Sequence, residues 1–405
     1  MRTPSQQSSL PLQPVGIVGA GTMGVEIAAL HLARGVPVRI HDADRAVLSS
    51  TDRRVAARIG DYSTSLDGAI PVPVGASAST DPAGTDETNS RLEICDSAAG
   101  LVGCRLVIES IVESVDAKRQ LFVDLEQALQ PDCLLASNTS TLCIASLGQP
   151  LAHPERLVGM HFCHPVSRRK AVEVVRAEQT DVAVGQLASR HVAALGQTPI
   201  VVADSPGFVV NRLLLCQLNA ALRMLLEGTP PEVIDLAARR AGLEKGPLEL
   251  LDEIGLDVAL RCGWEFSAAM PDRLDVSPLL VGLVKQKQYG CKSAAGIYLH
   301  DPATAEDPPD ATLPPDATPP SDAASPRVNA APPNVNPVLR ELVQRWGRSD
   351  TATPPDDLQI ARHLLAPMRE EACRILDEGV VADRDQVERA AVDGLGLPPG
   401  LLCPT

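Results

Sequence analysis

One unit near the start of the chain restricts the possible folds more than any other feature. Residues 15–21 read VGIVGAG, an apolar run that predicts a buried strand entering a glycine turn. The stretch TMGVEIAALHLARG continues as a helix that ends at Gly35, and VPVRIHD follows as a second strand. Two strands joined by a helix within about 30 residues are typical of a parallel sheet with right-handed crossovers, so the unit predicts an α/β fold.

The glycine loop of this unit has the spacing of a dinucleotide-binding loop. In GAGTMG, Gly19 would close the turn, Gly21 would let the backbone approach a pyrophosphate, and Gly24 would pack the helix against the strand. Asp42 ends the next strand, where its carboxylate would accept hydrogen bonds from a ribose 2′-hydroxyl and repel a 2′-phosphate. The pattern predicts NAD rather than NADP, although Arg45 lies close in sequence. A plain corner between strand and helix is the alternative.

Periodicity and composition divide the chain into segments. Apolar runs alternate with helical stretches to about residue 200, and helical spacing prevails from Pro206 onward. Residues 60–96 are rich in Ser, Gly, Pro and Thr, which predicts a mobile surface excursion. The predicted segments are a flexible tail (1–13), a nucleotide-binding α/β domain (14–204), a helical domain (205–300), a proline-rich linker (301–335) and a second helical unit (336–405).

The second helical unit resembles the first. Its ARHLLAPMREEACRILDEG echoes NRLLLCQLNAALRMLLEG, which indicates a weak internal repeat, with chance similarity of leucine-rich helices as the alternative.

Composition argues against several classes of function. The formal charge of −15 and the aromatic content of 2% disfavour nucleic-acid partners. No apolar run is long enough to span a bilayer, and the first dozen residues lack the apolar core of a signal peptide, so we expect a cytoplasmic protein without a membrane partner. The ten cysteines form no CxxC pairs, which favours reduced core thiols over disulfides or a bound metal.

Residues 160–175, MHFCHPVSRRKAVEVV, place two ionisable groups where core residues are expected. His161 ends one apolar run and Glu173 lies in another, where a lone carboxylate would be costly to bury. If both runs are strands joined by a turn around Pro165, the carboxylate can orient the imidazole as a general base. A core histidine beside an edge-strand glutamate is the alternative. The nearby SNTST at 137–141 could be a ligand site at the end of a strand or a helix N-cap.

Together these motifs resemble the L-3-hydroxyacyl-CoA dehydrogenase family, in the same order from about residue 15 to 300. The matching segments are GAGTMG, LVIESIVESVDAKRQLF, LLASNTSTL, ERLVGMHFCHPV, VEVV, DSPGFVVNRLL and KGPLELLDEIGLD. The last unit looks like the second helical repeat in the dehydrogenase half of multifunctional fatty-acid oxidation enzymes, here without a hydratase domain. The resemblance implies a Rossmann-type domain that binds NAD, followed by helical domains, and NAD-dependent oxidation of an L-3-hydroxyacyl-CoA.

The resemblance also implies roles for individual residues. His161 would be the general base that removes the proton of the C3 hydroxyl, and Glu173 would orient it. Ser137 and Asn211 would hydrogen-bond to the C3 oxygen or to the imidazole. The positions that match cofactor contacts are Glu113, Lys118 and His164.

Three departures from the family pattern leave the substrate carrier and the assembly open. His164 stands where the family usually has an asparagine near the nicotinamide. Residues 60–95 lack the lysines with which similar proteins hold the CoA phosphates, so an acyl carrier protein could replace CoA. Ala361 takes the position of Asn211 in the second helical unit, which suggests a structural unit that covers a dimerisation surface. The chain would then be a homodimer or a monomer with an internal helical repeat.

Two further functions are compatible with the same motifs. The chain could be a dehydrogenase that acts on a small free hydroxy acid, with the same cofactor and general base. It could also be an NAD-binding protein whose catalytic site is impaired.

Overall fold

A computed structural model describes residues 11–65, 91–301, 334–347 and 355–402. By its internal contacts the chain forms two compact units. The first unit comprises Met1–Val210 and Ile375–Leu395, and the second comprises Asn211–Arg374 and Gly396–Thr405. Within the described ranges, no helix has both the length and the apolar character needed to cross a membrane.

An eight-stranded sheet forms the centre of the first unit. Its strand order is β3-β2-β1-β4-β5-β6-β7-β8, and every neighbouring pair is parallel except β6 with β7. The strands are β1 (Val15–Val18), β2 (Val38–His41), β3 (Leu92–Cys95), β4 (Leu106–Glu109), β5 (Leu134–Ser137), β6 (Leu157–Phe162), β7 (Ala171–Arg176) and β8 (Thr198–Ala203). The predicted α/β fold is confirmed, and the order reverses between β1 and β4, the type of position where such sheets bind ligands.

Helices connect these strands and make up most of the remaining described chain. They are α1 (Thr22–Ala33), α2 (Arg45–Ile59), α3 (Val115–Ala128), α4 (Ile144–Gly148), α5 (Val182–Ala194), α6 (Val210–Leu226), α7 (Pro231–Arg240), α8 (Pro247–Ile254), α9 (Leu256–Ala269), α10 (Pro278–Lys285), α11 (Pro337–Trp346), α12 (Asp357–Asp377) and α13 (Arg384–Arg389). The helical region predicted after Pro206 is confirmed. The predicted repeat stays a prediction, and residues 302–333 of the predicted linker lie outside the described residues.

The segment predicted as a surface excursion, 60–96, is more structured at its ends than expected. Leu92–Cys95 forms β3, which pairs with β2 at the edge of the sheet. Gly60–Ser65 continues α2 as a short 3-10 helix. This edge strand has four residues, two of them exposed, and contains no apolar run that would predict a strand. The prediction from composition was therefore wrong for these residues. Residues 66–90 lie outside the described residues.

The C-terminal part of the first unit packs beside β8. The N–H of Ala203 donates to the carbonyl of Val380 at 2.8 Å, and the N–H of Val201 donates to Oε1 of Gln386 at 3.1 Å. Residues 375–395 therefore cover backbone groups that β8 would otherwise leave unpaired at the edge of the sheet.

The second unit contains a buried ionic cluster between two of its helices. Arg212 on α6 is fully buried, and its Nε donates to Oε1 of Glu371 on α12 at 2.7 Å. Arg273 also binds Glu371, with Nη1 3.1 Å from Oε2. Two guanidinium groups around one buried carboxylate offset the cost of removing these charges from water.

Candidate active site

The glycine loop joins β1 to α1 at the carboxyl end of the sheet. Gly19 has a φ of +104°, and a Cβ atom there would collide with the carbonyl of Ser110. A Cβ atom on Gly24 would collide with the carbonyl of Gly19, whereas one on Gly21 would have nothing within 4 Å. Backbone conformation and close packing therefore require Gly19 and Gly24, while Gly21 borders open space. This arrangement fits a dinucleotide whose phosphates approach the backbone at Gly21.

Asp42 lies against the same loop. It follows β2, and its Oδ2 accepts the N–H of Ala20 at 2.7 Å while Oδ1 accepts the N–H of Asp44 at 2.8 Å. Arg54 donates to the carbonyl of Ala20 at 2.7 Å and adds a positive charge at this place. The carboxylate is thus held beside the loop, and its effect on the choice between NAD and NADP stays a prediction.

His161 and Glu173 face each other across an antiparallel strand pair. They are direct partners in the register of β6 and β7, and Nδ1 of His161 lies 2.7 Å from Oε2 of Glu173. Both residues are buried, with 6% and 0% of their surface exposed. The predicted pairing of the two strands is confirmed. Because an ionised carboxylate only accepts hydrogen bonds, Nδ1 carries a proton and Nε2 is the nitrogen that can accept one.

A turn beyond β8 completes the surroundings of Glu173. Its Oε1 accepts the N–H groups of Val209 at 2.8 Å and Val210 at 3.0 Å. The preceding residue, Phe208, has a φ of +50°, and its ring centroid lies 5.9 Å from that of His161. A left-handed conformation is unfavourable for an aromatic residue by about 1–2 kcal/mol, so the surrounding structure must impose it. The segment DSPGFVVNRLL is one of the motifs that carry the family resemblance, but no sequence pattern marks Phe208 within it.

A buried charge cluster lies at the carboxyl ends of β4 and β5. Lys118 on α3 is 1% exposed and forms ion pairs with Glu109 and, at 3.2 Å, with Glu113. Oε1 of Glu113 accepts the hydroxyl of Thr139 at 2.6 Å and the N–H of Ser140 at 3.1 Å. Burial alone would raise the pKa of Glu113, but the charge of Lys118 and the Thr139 hydroxyl hold this pKa below its usual value. The cluster therefore keeps an ionised carboxylate against the loop after β5.

Ser137 and Asn138 link this cluster to the histidine strand. The hydroxyl of Ser137 donates to Oε2 of Glu109 at 2.6 Å, and Oδ1 of Asn138 accepts the N–H of Phe162 at 2.9 Å. Glu109 was missed by sequence analysis. The available signal was a glutamate ending a buried strand in LVIES, the same kind of signal that identified Asp42.

His164 lies in a different environment from His161. Its imidazole is 57% exposed, and Nδ1 lies 3.4 Å from Oε2 of Glu26, a buried residue of α1. The same oxygen accepts the N–H of Val166 at 2.8 Å. Burial acts to raise the pKa of Glu26, but the hydrogen bond and charge of His164 and the Val166 N–H hold it below the usual value. The structure thus joins His164 to the helix that begins at the glycine loop, through a glutamate that sequence analysis missed.

The remaining predicted site residue, Asn211, belongs to the second unit. It is the second residue of α6, is half-buried, and directly follows Val210. In the described part of the chain, no group of three or more His, Cys, Asp or Glu side chains is arranged to hold a metal ion.

Comparison with protein families gives two matches along the chain. The NAD binding domain of 3-hydroxyacyl-CoA dehydrogenase matches residues 14–205, and the C-terminal domain of 3-hydroxyacyl-CoA dehydrogenase matches residues 207–300. Together the two matches cover more than half of the chain.

Solved structures of known enzymes resemble this one. 3-Hydroxybutyryl-CoA dehydrogenase from Escherichia coli K12 matches with a TM-score of 0.75 and 26% identity, over 97% of this chain and 91% of that one. (S)-3-hydroxybutyryl-CoA dehydrogenase PaaH1 from Ralstonia eutropha matches with a TM-score of 0.64 and 29% identity, over 72% of this chain and 99% of that one. The dehydrogenase part of multifunctional enzyme 1 from C. elegans shares the fold, with a TM-score of 0.62 and 21% identity over 98% of this chain and 82% of that one. The first and third likenesses extend past residue 300, where the family matches end.

Proposed function

The chain belongs to the 3-hydroxyacyl-CoA dehydrogenase family, and we propose that it reversibly oxidises the C3 hydroxyl of an L-3-hydroxyacyl-CoA to the 3-oxo thioester with NAD. The observation that carries this proposal is the His161–Glu173 pair, at 2.7 Å, in the same unit as the NAD-binding glycine loop. When bound, the nicotinamide supplies the acceptor for the hydride that leaves C3.

In this proposal His161 is the general base. Its Nδ1 proton is donated to Glu173, so Nε2 takes the proton of the C3 hydroxyl during oxidation and returns it during reduction. Glu173 is buried, and its carboxylate offsets the positive charge that the ring gains. The N–H groups of Val209 and Val210 hold the carboxylate in place from its other oxygen. Positioned proton transfer of this kind contributes on the order of 10²–10⁴ in rate.

Ser137 and Asn211 are the other two residues to which the family resemblance assigns a part in the reaction. The Ser137 hydroxyl donates to Glu109 and accepts the N–H of Thr139 at 3.3 Å, which leaves one lone pair of its oxygen to accept a hydrogen bond from the protonated imidazole. The family resemblance gives Asn211 the same kind of role, a hydrogen bond to the C3 oxygen or to the imidazole.

The residues proposed to hold the cofactor are Gly19, Gly21, Gly24, Asp42, Glu113, Lys118 and His164. The glycines leave the backbone accessible to phosphates, and Asp42 offers a carboxylate to the ribose. Lys118 is buried between Glu109 and Glu113, so we propose that it supports the cofactor site by holding Glu113 against the loop after β5.

A panel of substrates tests the proposed function. We expect the purified chain to oxidise NADH with acetoacetyl-CoA and longer 3-oxoacyl-CoA thioesters, and to be slower with the same acyl groups on an acyl carrier protein and with free 3-oxo acids. If the enzyme prefers the carrier-bound acyl group or the free acid, that compound takes the place of the CoA thioester as the proposed substrate. Binding of NADH without turnover on any member of the panel would indicate an impaired enzyme.

A further inference from the structure

The second unit contains an acid–imidazole–thiol cluster that the proposed reaction does not use. Asp252 on α8 is buried, and its Oδ1 accepts the N–H of Ile297 at 2.7 Å. Its Oδ2 accepts the N–H of Tyr298 at 2.9 Å and lies 2.7 Å from Nε2 of His300. The carboxylate therefore anchors one short segment of backbone and orients one imidazole.

Cys291 lies on the other side of that imidazole. Its Sγ is 3.7 Å from Nδ1 and 3.8 Å from Nε2 of His300. Both side chains are partly exposed, so reagents in solution can reach them. The sulfur contacts the ring, while Asp252 remains the hydrogen-bond partner of Nε2.

The charge state of His300 follows from its partners. The hydrogen bond to Asp252 first, and the contact with Cys291 second, raise the pKa of His300 to about 10, against the opposing effect of burial. The ring is therefore an imidazolium at neutral pH. Cys291 therefore lies beside a positive charge and is partly exposed, the surroundings that are typical of reactive cysteines.

Seven of the eight other cysteines that the structure describes provide a contrast. Burial raises the pKa of Cys95, Cys104, Cys133, Cys143, Cys163 and Cys216. Cys143 is exposed, but its Sγ donates to the carboxylate of Asp204 at 2.9 Å, which holds the proton on the sulfur. Cys373 is exposed as well. Exposure alone would thus predict that Cys143 and Cys373 react first, whereas the neighbouring charges predict that Cys291 reacts first.

We propose that Cys291 is a thiol-modification site that reacts with low-molecular-weight disulfides. The Cys291 thiolate attacks one sulfur of the reagent, a new S–S bond forms as the old one breaks, and the second half of the reagent leaves as a thiolate that takes up a proton. Cys291 is oxidised to a mixed disulfide, and the reagent is reduced. The cluster contains a single thiol, so the product is a mixed disulfide with the reagent.

The test uses the intact chain and 4,4′-dithiodipyridine in equimolar amount at pH 6, followed by peptide mapping by mass spectrometry. An ordinary thiol is only about 0.3% thiolate at this pH, since its pKa is near 8.5. We expect Cys291 to be modified first, about 10-fold faster than Cys143 or Cys373, because a cation lies beside its sulfur. Modification of any other cysteine before Cys291 would overturn the proposal, and this comparison needs no variant.

A pair of variants tests the part played by the imidazolium. His300→Gln keeps an N–H donor for Asp252 but removes the charge, so Cys291 should react about 10-fold more slowly at pH 6. His153→Gln is the matched control, because it removes an exposed histidine of the first unit that also pairs with a carboxylate. A folded His300→Gln protein that reacts as fast as the wild type would overturn the proposal. Protection of the buried Cys163 and Cys216 in each variant reports that the fold is retained.

Discussion

Two histidines three positions apart are each paired with a glutamate, and the two pairs differ in almost every physical respect. His161 lies on a strand with its side chain 8% exposed, 2.7 Å from Glu173. His164 lies after the strand with its side chain 57% exposed, 3.4 Å from Glu26. A strand register holds the first pair on two neighbouring strands, whereas the second pair depends on the contact of a loop with a helix. The same two residue types thus form a short, buried contact where two paired strands carry both residues, and a longer, exposed contact where a loop carries one of them.

The largest expected effect comes from His161→Gln. Glutamine keeps the size and polarity of the side chain but cannot accept a proton at neutral pH, so kcat should fall on the order of 10²–10⁴-fold. The affinity for NADH should change little. Steady-state assays with a 3-oxoacyl-CoA and a binding titration with NADH measure the two quantities.

The matched control for this variant is His164→Gln, the same chemical change three residues along the chain. It should retain most of the activity. If His164→Gln loses most of its kcat while His161→Gln keeps it, the roles assigned to the two histidines are reversed.

The next effect in size is expected for Glu173→Gln. The neutral amide does not offset the charge on His161, and a hydrogen bond to a charged group is worth about 1.5–3 kcal/mol, so kcat should fall about 10- to 10²-fold. Glu26→Gln is the corresponding change in the other pair and should leave kcat nearly unchanged. Equal losses in the two variants, or a loss confined to KM, would remove the distinction between the pairs.

Asp42→Ala tests the predicted preference for NAD over NADP. Loss of the carboxylate removes an acceptor for the ribose hydroxyls and a repulsion against a 2′-phosphate, so the preference for NAD over NADP should narrow by roughly 10-fold. The ratio of the two kcat/KM values measures this preference. Asp44→Ala is the control, because Asp44 caps α2 through the N–H of Ala46 and should not alter the ratio. A wild-type enzyme that prefers NADP would contradict the role of Asp42.

The smallest effect on catalysis is expected for His164→Asn, which restores the residue usual in the family. Removing one exposed imidazole should change the activation free energy by less than about 1 kcal/mol, so kcat/KM should change by less than roughly fivefold. Any change should lie in the KM for NADH, because His164 contacts the helix that begins at the glycine loop. A larger loss in kcat with unchanged KM would assign His164 to the chemical step.

Glu26 should also affect stability as the pH is lowered. Its pKa is lower in the folded protein than the usual 4.5, so the unfolded chain binds the proton first as the solution becomes acidic. The contribution of this group to stability is present above pH 4.5 and is lost as the pH falls through the folded pKa. The stability that Glu26 adds relative to Glu26→Gln should therefore shrink as the pH falls below 4.5. Denaturant titrations at several pH values measure the unfolding free energies of both proteins. A difference that grows as the pH falls would contradict a lowered pKa of Glu26.

Local patterns were sufficient for the parts of the site that lie close together in sequence. The GAGTMG spacing predicted the loop between β1 and α1, and two apolar runs separated by a short polar break predicted the strand pair that joins His161 to Glu173. Both depend on short-range geometry, the tight turn and the alternation of side chains along a strand. The edge strand Leu92–Cys95 was not predicted, because four partly exposed residues carry too little periodicity.

Sequence alone predicted the α/β class and the pair that we propose for proton transfer, because these depend on residue spacing within short segments, and its ordered motifs gave the resemblance to the family. Only the tertiary structure decided which charges meet across long separations. Glu109 receives the hydroxyl of a serine 28 residues away, and Glu26 receives an N–H 140 residues away. A buried carboxylate needs donors wherever the folded backbone brings them, and no local pattern encodes which donors those are. The same holds for Asp252, which joins His300 to α8 over a separation of 48 residues.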